Sequence, residues 1–197
     1  MVCTANQCRS PMAEALLRSA LDGRGVDATV SSAGLFRGGV PASPGSVRAM
    51  ALRGLDLDDH RSRTVTPELV AGADLVLGMA RLHVRQAVLA VPDVWPRAFT
   101  LKELVRRGQA RGARRPGQPL AAWLAELHEG RRRADLIGDD AEDDVADPIG
   151  GPDRLYAATA DELEYLVTRL VGLVFPPTGG SPAPAVREGA GRPGTPP

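Results

Sequence analysis

Residues 1–17, MVCTANQCRSPMAEALL, place a short loop directly in front of a helix. Ser10 and Pro11 mark the start of this helix, because serine is a good cap and the missing N–H of proline is no loss in the first turn. The residues that follow are strong helix formers. Only two residues precede Cys3, whereas a strand usually has about five. We therefore predict a helix over 10–22, preceded by a first strand that is either truncated or begins upstream of Met1.

The rest of the chain alternates short apolar runs rich in Val and Leu with longer stretches of helical periodicity. This alternation is typical of a parallel sheet that is covered by helices on both faces. We predict an α/β fold, a doubly wound three-layer sandwich. Further strands are expected at 28–32, 73–78 and 97–100. Helices are expected at 10–22, 44–53, 81–89, 120–127 and 152–173.

Charge and cysteine content indicate where such a chain works. Lys plus Arg and Asp plus Glu both total 24, so no net field favours nucleic acid or anionic lipid. There are two cysteines, Cys3 and Cys8, which share one short loop; this argues against a secreted disulfide framework. No apolar run reaches the roughly 18 to 20 residues that span a bilayer. We expect a cytoplasmic monomer without nucleic-acid or membrane partners.

Two segments differ in composition from the rest. We expect one domain over 1–175, in which 106–144 is an arginine-rich and then acidic insert on a solvated surface, where the opposite charges neutralise each other. The arginines of this insert are Arg106, Arg107, Arg111, Arg114, Arg115 and Arg131 to Arg133. The tail over 176–197 is dominated by Pro, Gly, Ala and Ser and is expected to be disordered, because it has too few apolar residues to offset its ordering entropy.

The loop from Cys3 to Arg9 carries the chemistry. A loop that enters a helix gathers unpaired backbone N–H groups, which form a concave site for a tetrahedral anion. The same dipoles favour a thiolate over a thiol, so Cys3 is a candidate nucleophile. The planar guanidinium of Arg9 offers two donors matched to two phosphate oxygens. This pattern predicts a phosphocysteine intermediate that forms without a metal or other cofactor. An unreactive buried cysteine is the alternative.

The segment VCTANQCRSPMAEALL resembles the phosphate-binding loop and first helix of the low-molecular-weight protein tyrosine phosphatases. The resemblance implies a four-stranded parallel sheet of order 2-1-3-4, with Cys3 as nucleophile and Arg9 as phosphate clamp. It also implies that Ser10 donates to the thiolate and that Asn6 braces the loop in left-handed geometry. The complete loop would consist of Thr4, Ala5, Asn6, Gln7, Cys8, Arg9 and Ser10.

Asp147 in the stretch DDVADPIGG resembles the family's general acid, which lies in an Asp-Pro pair just before the last helix. Its carboxyl would protonate the leaving oxygen and later activate water. Ser32 and His60 match positions that support the loop through Asn6. Phe36 is expected to line the substrate cleft together with Ile149, which stands where many relatives have an aromatic ring. His83 receives no role.

The resemblance implies a phosphatase whose favoured substrate is phosphotyrosine in proteins, with another phosphomonoester as the alternative substrate. Two further functions remain open. One is an arsenate reductase of the same fold that uses a small thiol, since no cysteine follows Cys8. The other is a module that binds phosphorylated ligands without turnover, because a truncated first strand anchors the loop weakly. Cys8 is expected to pack against the loop, and the resemblance implies that it can also form a protective disulfide with Cys3 on oxidation.

Overall fold

A computed structural model describes residues 1–176, so the tail expected to be disordered lies outside the described residues from 177 onward. The strands are β1 (Val2–Cys3), β2 (Ala33–Gly34), β3 (Val76–Gly78) and β4 (Ala98–Thr100). The helices are α1 (Arg9–Asp22), α2 (Pro44–Ala51), α3 (Pro67–Ala71), α4 (Arg81–Ala90), α5 (Leu101–Arg111), α6 (Leu120–His128) and α7 (Asp153–Val174). Short 3-10 helices cover Pro92–Arg97 and Arg133–Leu136.

The four strands form one parallel sheet in the order β2-β1-β3-β4, as predicted. β1 lies in the centre, where Val2 pairs with Ala33 on one side and with Gly78 on the other. The carboxyl ends of all four strands therefore meet at one edge of the sheet, which is where ligands bind in folds of this class. The loop that leaves β1 at Cys3 lies at that edge.

Helices cover both faces of the sheet, which confirms the three-layer architecture. On one face, α1, α5 and α7 enclose a core that includes Met12, Phe99 and Leu163, all of which are fully buried. On the other face, α3 and α4 enclose a smaller core around Val76 and Val84. Burial of such side chains contributes roughly 1.5 to 3 kcal/mol each.

Within residues 1–176, no helix has the length and apolar content needed to cross a bilayer.

The second strand was predicted in the wrong place. Residues 28–32 form no strand, and β2 begins one residue later at Ala33. A strand exists only where a neighbouring backbone completes its ladder. β1 offers two paired residues, and the backbone N–H of Ala33 donates to the carbonyl of Met1 at 2.9 Å. Among the described residues, no strand lies beside 28–32.

A cavity of about 710 Å³ lies next to Met1, between 28–32 and 73–77. Side chains from α1 and α7 line it on one side and residues of α3 line it on the other. The amino group of Met1 donates to the carbonyl of Ser31 at 2.8 Å. Burial lowers the pKa of this amino group from 8.0 to about 6. Burial at the edge of an apolar cavity thus disfavours the charged form of the amine, which makes this end of β1 a weak point of the fold.

Other predicted elements agree with the structure to within two residues, except that β3 begins three residues after its predicted start at 73 and that α3 and α5 were not predicted. Both helices begin at a threonine whose hydroxyl accepts from a backbone N–H three residues later: Thr66 accepts from Leu69 at 3.4 Å, and Thr100 from Glu103 at 3.0 Å. Such caps are readable from sequence. The missed helix α5 occupies the first part of the segment interpreted as an insert.

The charged segment over 106–144 forms a series of ion pairs, including Arg106 with Asp143 and Arg111 with Glu129. The expected solvated surface is wrong for Arg131, whose side chain is 2% exposed. This guanidinium lies between the rings of Trp95 and Phe99, at 3.9 and 3.8 Å from their centroids. It also forms an ion pair with Glu103. Because these partners come from 95–103, the segment is tied to the core.

Candidate active site

The loop between β1 and α1 holds Cys3 with its sulfur hydrogen-bonded from two directions. Cys3 is 2% exposed. Its Sγ accepts from the backbone N–H of Asn6 at 3.2 Å and from the hydroxyl of Ser10 at 3.0 Å. Hydrogen bonds to the charged form of an acid favour that form, so both donors stabilise a thiolate.

Asn6 organises the loop around this sulfur. Its backbone has a φ of 53°, which confirms the expected left-handed geometry. Its side-chain amide donates to Ser10 Oγ at 2.9 Å and to Ser32 Oγ at 2.7 Å, and its Oδ1 accepts from the N–H of Arg63 at 2.9 Å. His60 Nε2 lies 2.7 Å from the carbonyl oxygen of Asn6. A carbonyl only accepts, so Nε2 of His60 carries the proton. Ser32 and His60 thus contact Asn6 as expected.

Gly34 in β2 lets the loop approach the sheet edge closely. A Cβ atom added to Gly34 would lie 2.7 Å from the backbone N of Asn6, 2.8 Å from the carbonyl carbon of Ala5 and 2.9 Å from the carbonyl oxygen of Thr4. All three distances are shorter than real Cβ contacts. Only a glycine at this position leaves room for the loop.

Arg9 connects the loop to the segment that contains Asp147. Its Nη2 forms an ion pair with Asp147, and its Nη1 donates to the carbonyl of Val145 at 3.1 Å. Nη2 also donates to Thr4 Oγ1 at 3.3 Å. The Nε of Arg9 is buried and has no hydrogen-bond partner among residues 1–176. An unpartnered donor on a buried cation is costly unless an anion binds there.

The rest of the predicted site surrounds this centre. Phe36 and Ile149 are 61% and 54% exposed, so both side chains are free to contact a ligand. The carbonyl of Gln7 accepts from Ser43 N at 2.8 Å. The Sγ of Cys8 donates to Ser43 Oγ at 3.2 Å, and burial raises its pKa. Both cysteines are free thiols, so the structure shows the packed form of Cys8 and not a disulfide.

Sequence reasoning missed His83. This residue of α4 is buried, and its Nε2 lies 3.1 Å from Thr4 Oγ1. A signal was available, because α4 follows β3 directly and β3 is the neighbour of β1 in the sheet. The first turns of helices that follow adjacent parallel strands lie at the same edge.

Comparison with known proteins agrees with this geometry. The family model for "Low molecular weight phosphotyrosine protein phosphatase" matches residues 1–113. A protein-arginine-phosphatase of Bacillus subtilis is 34% identical over 170 residues, which cover 86% of this chain and 91% of that protein. An arsenate reductase of Halalkalibacterium halodurans is 34% identical over 137 residues, or 70% of this chain and 86% of that protein.

A solved structure gives the same result. The low molecular weight protein tyrosine phosphatase from T. tengcongensis superposes with a TM-score of 0.65 at 34% identity and covers 86% of this chain and 94% of that chain. The family match spans both the Cys3 loop and the sheet that carries it, and the solved relative covers most of the chain. The chain therefore belongs to the low molecular weight phosphotyrosine protein phosphatase family.

Proposed function

We propose that this chain is a metal-independent phosphatase in which Cys3 is the nucleophile, Arg9 the phosphate clamp and Asp147 the general acid. The observation that carries the proposal is the buried, unpartnered Nε of Arg9 in the loop that holds the doubly hydrogen-bonded sulfur. A dianionic phosphoryl group satisfies that donor and lies within reach of the loop that presents the thiolate.

The reaction has two steps. The thiolate of Cys3 attacks phosphorus, so that an S–P bond forms while the P–O bond to the leaving group breaks and Asp147 gives its proton to the departing oxygen. Water then attacks the phosphocysteine, Asp147 takes the proton of that water, and the S–P bond breaks to release inorganic phosphate and the thiolate. Arg9 stabilises the equatorial oxygens in both steps.

The ion pair between Arg9 and Asp147 bears on this mechanism. A phosphate dianion offers the guanidinium two oxygens in a bidentate arrangement, and it competes directly with the carboxylate. Substrate binding therefore releases the carboxylate of Asp147, which takes up a proton from solvent and then faces the leaving oxygen as the acid. Its side chain is 36% exposed, which leaves it room to move.

The proposed substrate is a protein that carries phosphotyrosine. The exposed ring of Phe36 can stack on an aryl group, whereas Ile149 offers an apolar surface without stacking. Phosphoarginine is a second candidate, because the relative from B. subtilis is named for that substrate and covers most of both chains. A phosphotyrosine peptide and a phosphoarginine peptide of the same sequence, compared by kcat/KM, distinguish the two.

The similarity to an arsenate reductase makes arsenate reduction a third candidate function. Reduction of arsenate consumes two electrons from thiols, and this chain has no cysteine after Cys8, so a small external thiol would have to supply them. Release of arsenite from arsenate and such a thiol would favour that function. Binding of phosphopeptides without any release of phosphate would favour a binding module.

We further propose that the protein acts as a cytoplasmic monomer on protein substrates, without nucleic-acid or membrane partners. Its balanced charge of 24 basic and 24 acidic residues and its two free thiols support this setting.

An aryl phosphate assay tests the proposed function. The unmodified protein is expected to hydrolyse p-nitrophenyl phosphate, and Cys3→Ser to abolish turnover while phosphate still binds. Asp147→Asn is expected to lower kcat by roughly 10² to 10⁴, and most for substrates whose leaving group departs slowly. Turnover that survives Cys3→Ser would exclude the phosphocysteine mechanism.

A further inference from the structure

His83 is a buried imidazole beside the phosphate-binding loop, and the mechanism above does not use it. The residue is 1% exposed. Burial, together with the positive charge of Arg9, lowers its pKa from 6.5 to about 3. The ring is therefore neutral at the pH values at which a cytoplasmic enzyme works, and it carries a single N–H.

The neighbours of Thr4 restrict where this N–H lies. Thr4 Oγ1 lies 3.1 Å from Nε2 of His83 and accepts from Nη2 of Arg9 at 3.3 Å. The other ring nitrogen, Nδ1, is buried without a partner among the described residues. If Nδ1 carried the proton, a buried N–H donor would have no acceptor, which is rare in folded proteins. With the proton on Nε2, the ring donates to the Thr4 hydroxyl.

That arrangement leaves one group free. The Thr4 oxygen then accepts two hydrogen bonds, one from His83 and one from Arg9, and its own O–H has no acceptor within residues 1–176. This hydroxyl lies against the same guanidinium nitrogen that binds Asp147. The Thr4 hydroxyl is thus a second donor without a partner, besides the Nε of Arg9, at the place where a phosphoester would bind.

We propose that His83 is a positioning residue: its Nε2–H donates to Thr4 and turns the Thr4 hydroxyl proton toward an oxygen of the bound phosphoester. The proposal rests on the proposed phosphatase function and adds one donor to the site. No bond to His83 forms or breaks in the reaction. The imidazole acts through the hydroxyl that it orients.

The ring tautomer of the unmodified protein is the first test. Full-length protein labelled with ¹⁵N, with and without inorganic phosphate, gives the shifts of both ring nitrogens of His83. We expect the proton on Nε2 in both states. A proton on Nδ1 would overturn the proposal. This measurement needs no variant and no catalytic activity, so its result is separate from that of the aryl phosphate assay.

A double-mutant cycle is the second test. His83→Leu and Thr4→Val are each expected to weaken inorganic phosphate binding and to lower kcat/KM by about tenfold or more, the value of a hydrogen bond to a charged group. In the Thr4→Val background, His83→Leu should change either quantity by less than about twofold. His83→Gln, whose amide N–H reaches the position of Nε2, should recover most of the loss.

A matched control separates positioning from simple destabilisation. Val88→Ala shortens a buried side chain of the same helix α4 five positions after His83, and it should lower thermal stability while phosphate affinity stays unchanged. Losses that multiply fully in the His83→Leu/Thr4→Val double variant would overturn the proposal. So would an equal loss of phosphate affinity in Val88→Ala.

Discussion

Gly34→Ala is the substitution that most directly tests how the sheet edge holds the loop. The added methyl group would lie 2.7 to 2.9 Å from three backbone atoms of residues 4–6, whereas ordinary contact begins at about 3.4 Å. The loop must therefore move away by roughly 0.5 to 0.7 Å, because all three contacted atoms belong to the backbone and no flexible side chain can move instead. Such a shift moves the donors that hold the Cys3 sulfur.

The expected cost appears in two measurements. Overpacking of about 2 kcal/mol lowers the Tm of a chain of this size by roughly 4 to 8 °C. A displacement near 1 Å at a catalytic group costs on the order of 10²-fold, so kcat/KM for an aryl phosphate should fall by roughly 10- to 100-fold. Circular dichroism melting and steady-state kinetics give both values.

Gly172→Ala is the matched control. A Cβ at Gly172, inside α7, meets nothing within 4 Å. The same chemical change should there stabilise the helix by about 0.5 to 1 kcal/mol and leave kcat/KM unchanged. If Gly34→Ala behaved like this control, the argument that the loop requires a glycine at the sheet edge would be refuted.

Three further predictions concern stability. Glu103→Gln should lower the free energy of unfolding by about 3 to 5 kcal/mol, because it leaves the buried Arg131 without a carboxylate partner, whereas Arg131→Met should lower it by less, because Glu103 keeps its ion pair with Arg107. The double variant Arg131→Met/Glu103→Gln should lose less than the sum of the two single variants; urea unfolding measures this, and a loss under about 1 kcal/mol in Glu103→Gln would contradict it. Folding lowers the pKa of His83 from 6.5 to about 3, so between these pH values the unfolded chain binds a proton that the folded chain does not. Stability that is present above pH 6.5 is therefore lost as the pH drops toward 3. His83→Gln should flatten this pH dependence of the unfolding free energy, measured with urea between about pH 7 and 4, and an unchanged slope would exclude His83 as its source. An extension of four or five apolar residues joined to the amino group of Met1 should fill part of the 710 Å³ cavity and convert the buried amine to an amide, which should raise Tm by roughly 5 to 10 °C. A Gly/Ser extension of equal length should raise Tm less. Equal effects of the two extensions would show that the apolar cavity is not the weak point.

Local signals predicted the α-helices other than α3 and α5, and they predicted the chemistry of the Cys3 loop. Ser10-Pro11 predicted the start of α1 to within one residue, because helix propensity and the place of proline in the first turn act within a few residues of chain. The expected serine cap is wrong: the helix begins at Arg9 without a side-chain cap, and the Ser10 hydroxyl donates to the Cys3 sulfur instead. The left-handed backbone at Asn6 is likewise a property of one residue and its neighbours, here supplied by the family resemblance. The Asp-Pro pair at 147–148 was found in the same way, through a motif that is contiguous in sequence.

The errors have a common cause. Residues 28–32 have the composition of a strand, yet a strand depends on a partner that a local pattern does not describe. The arginine-rich composition of 106–144 predicts a solvated surface. Only the packing of Arg131 against Trp95 and Phe99 shows that one of these arginines belongs to the core.

The sequence by itself thus determined the α/β class, through the alternation of apolar runs and helical periodicity along the chain. It also predicted the nucleophile loop and the candidate acid, because each is a short contiguous motif. Only the tertiary structure decided the extent of β2, the burial of Arg131 and the contact between His83 and Thr4. These depend on groups 28 to 79 positions apart in the chain that meet only when the parallel sheet and the helices around it assemble.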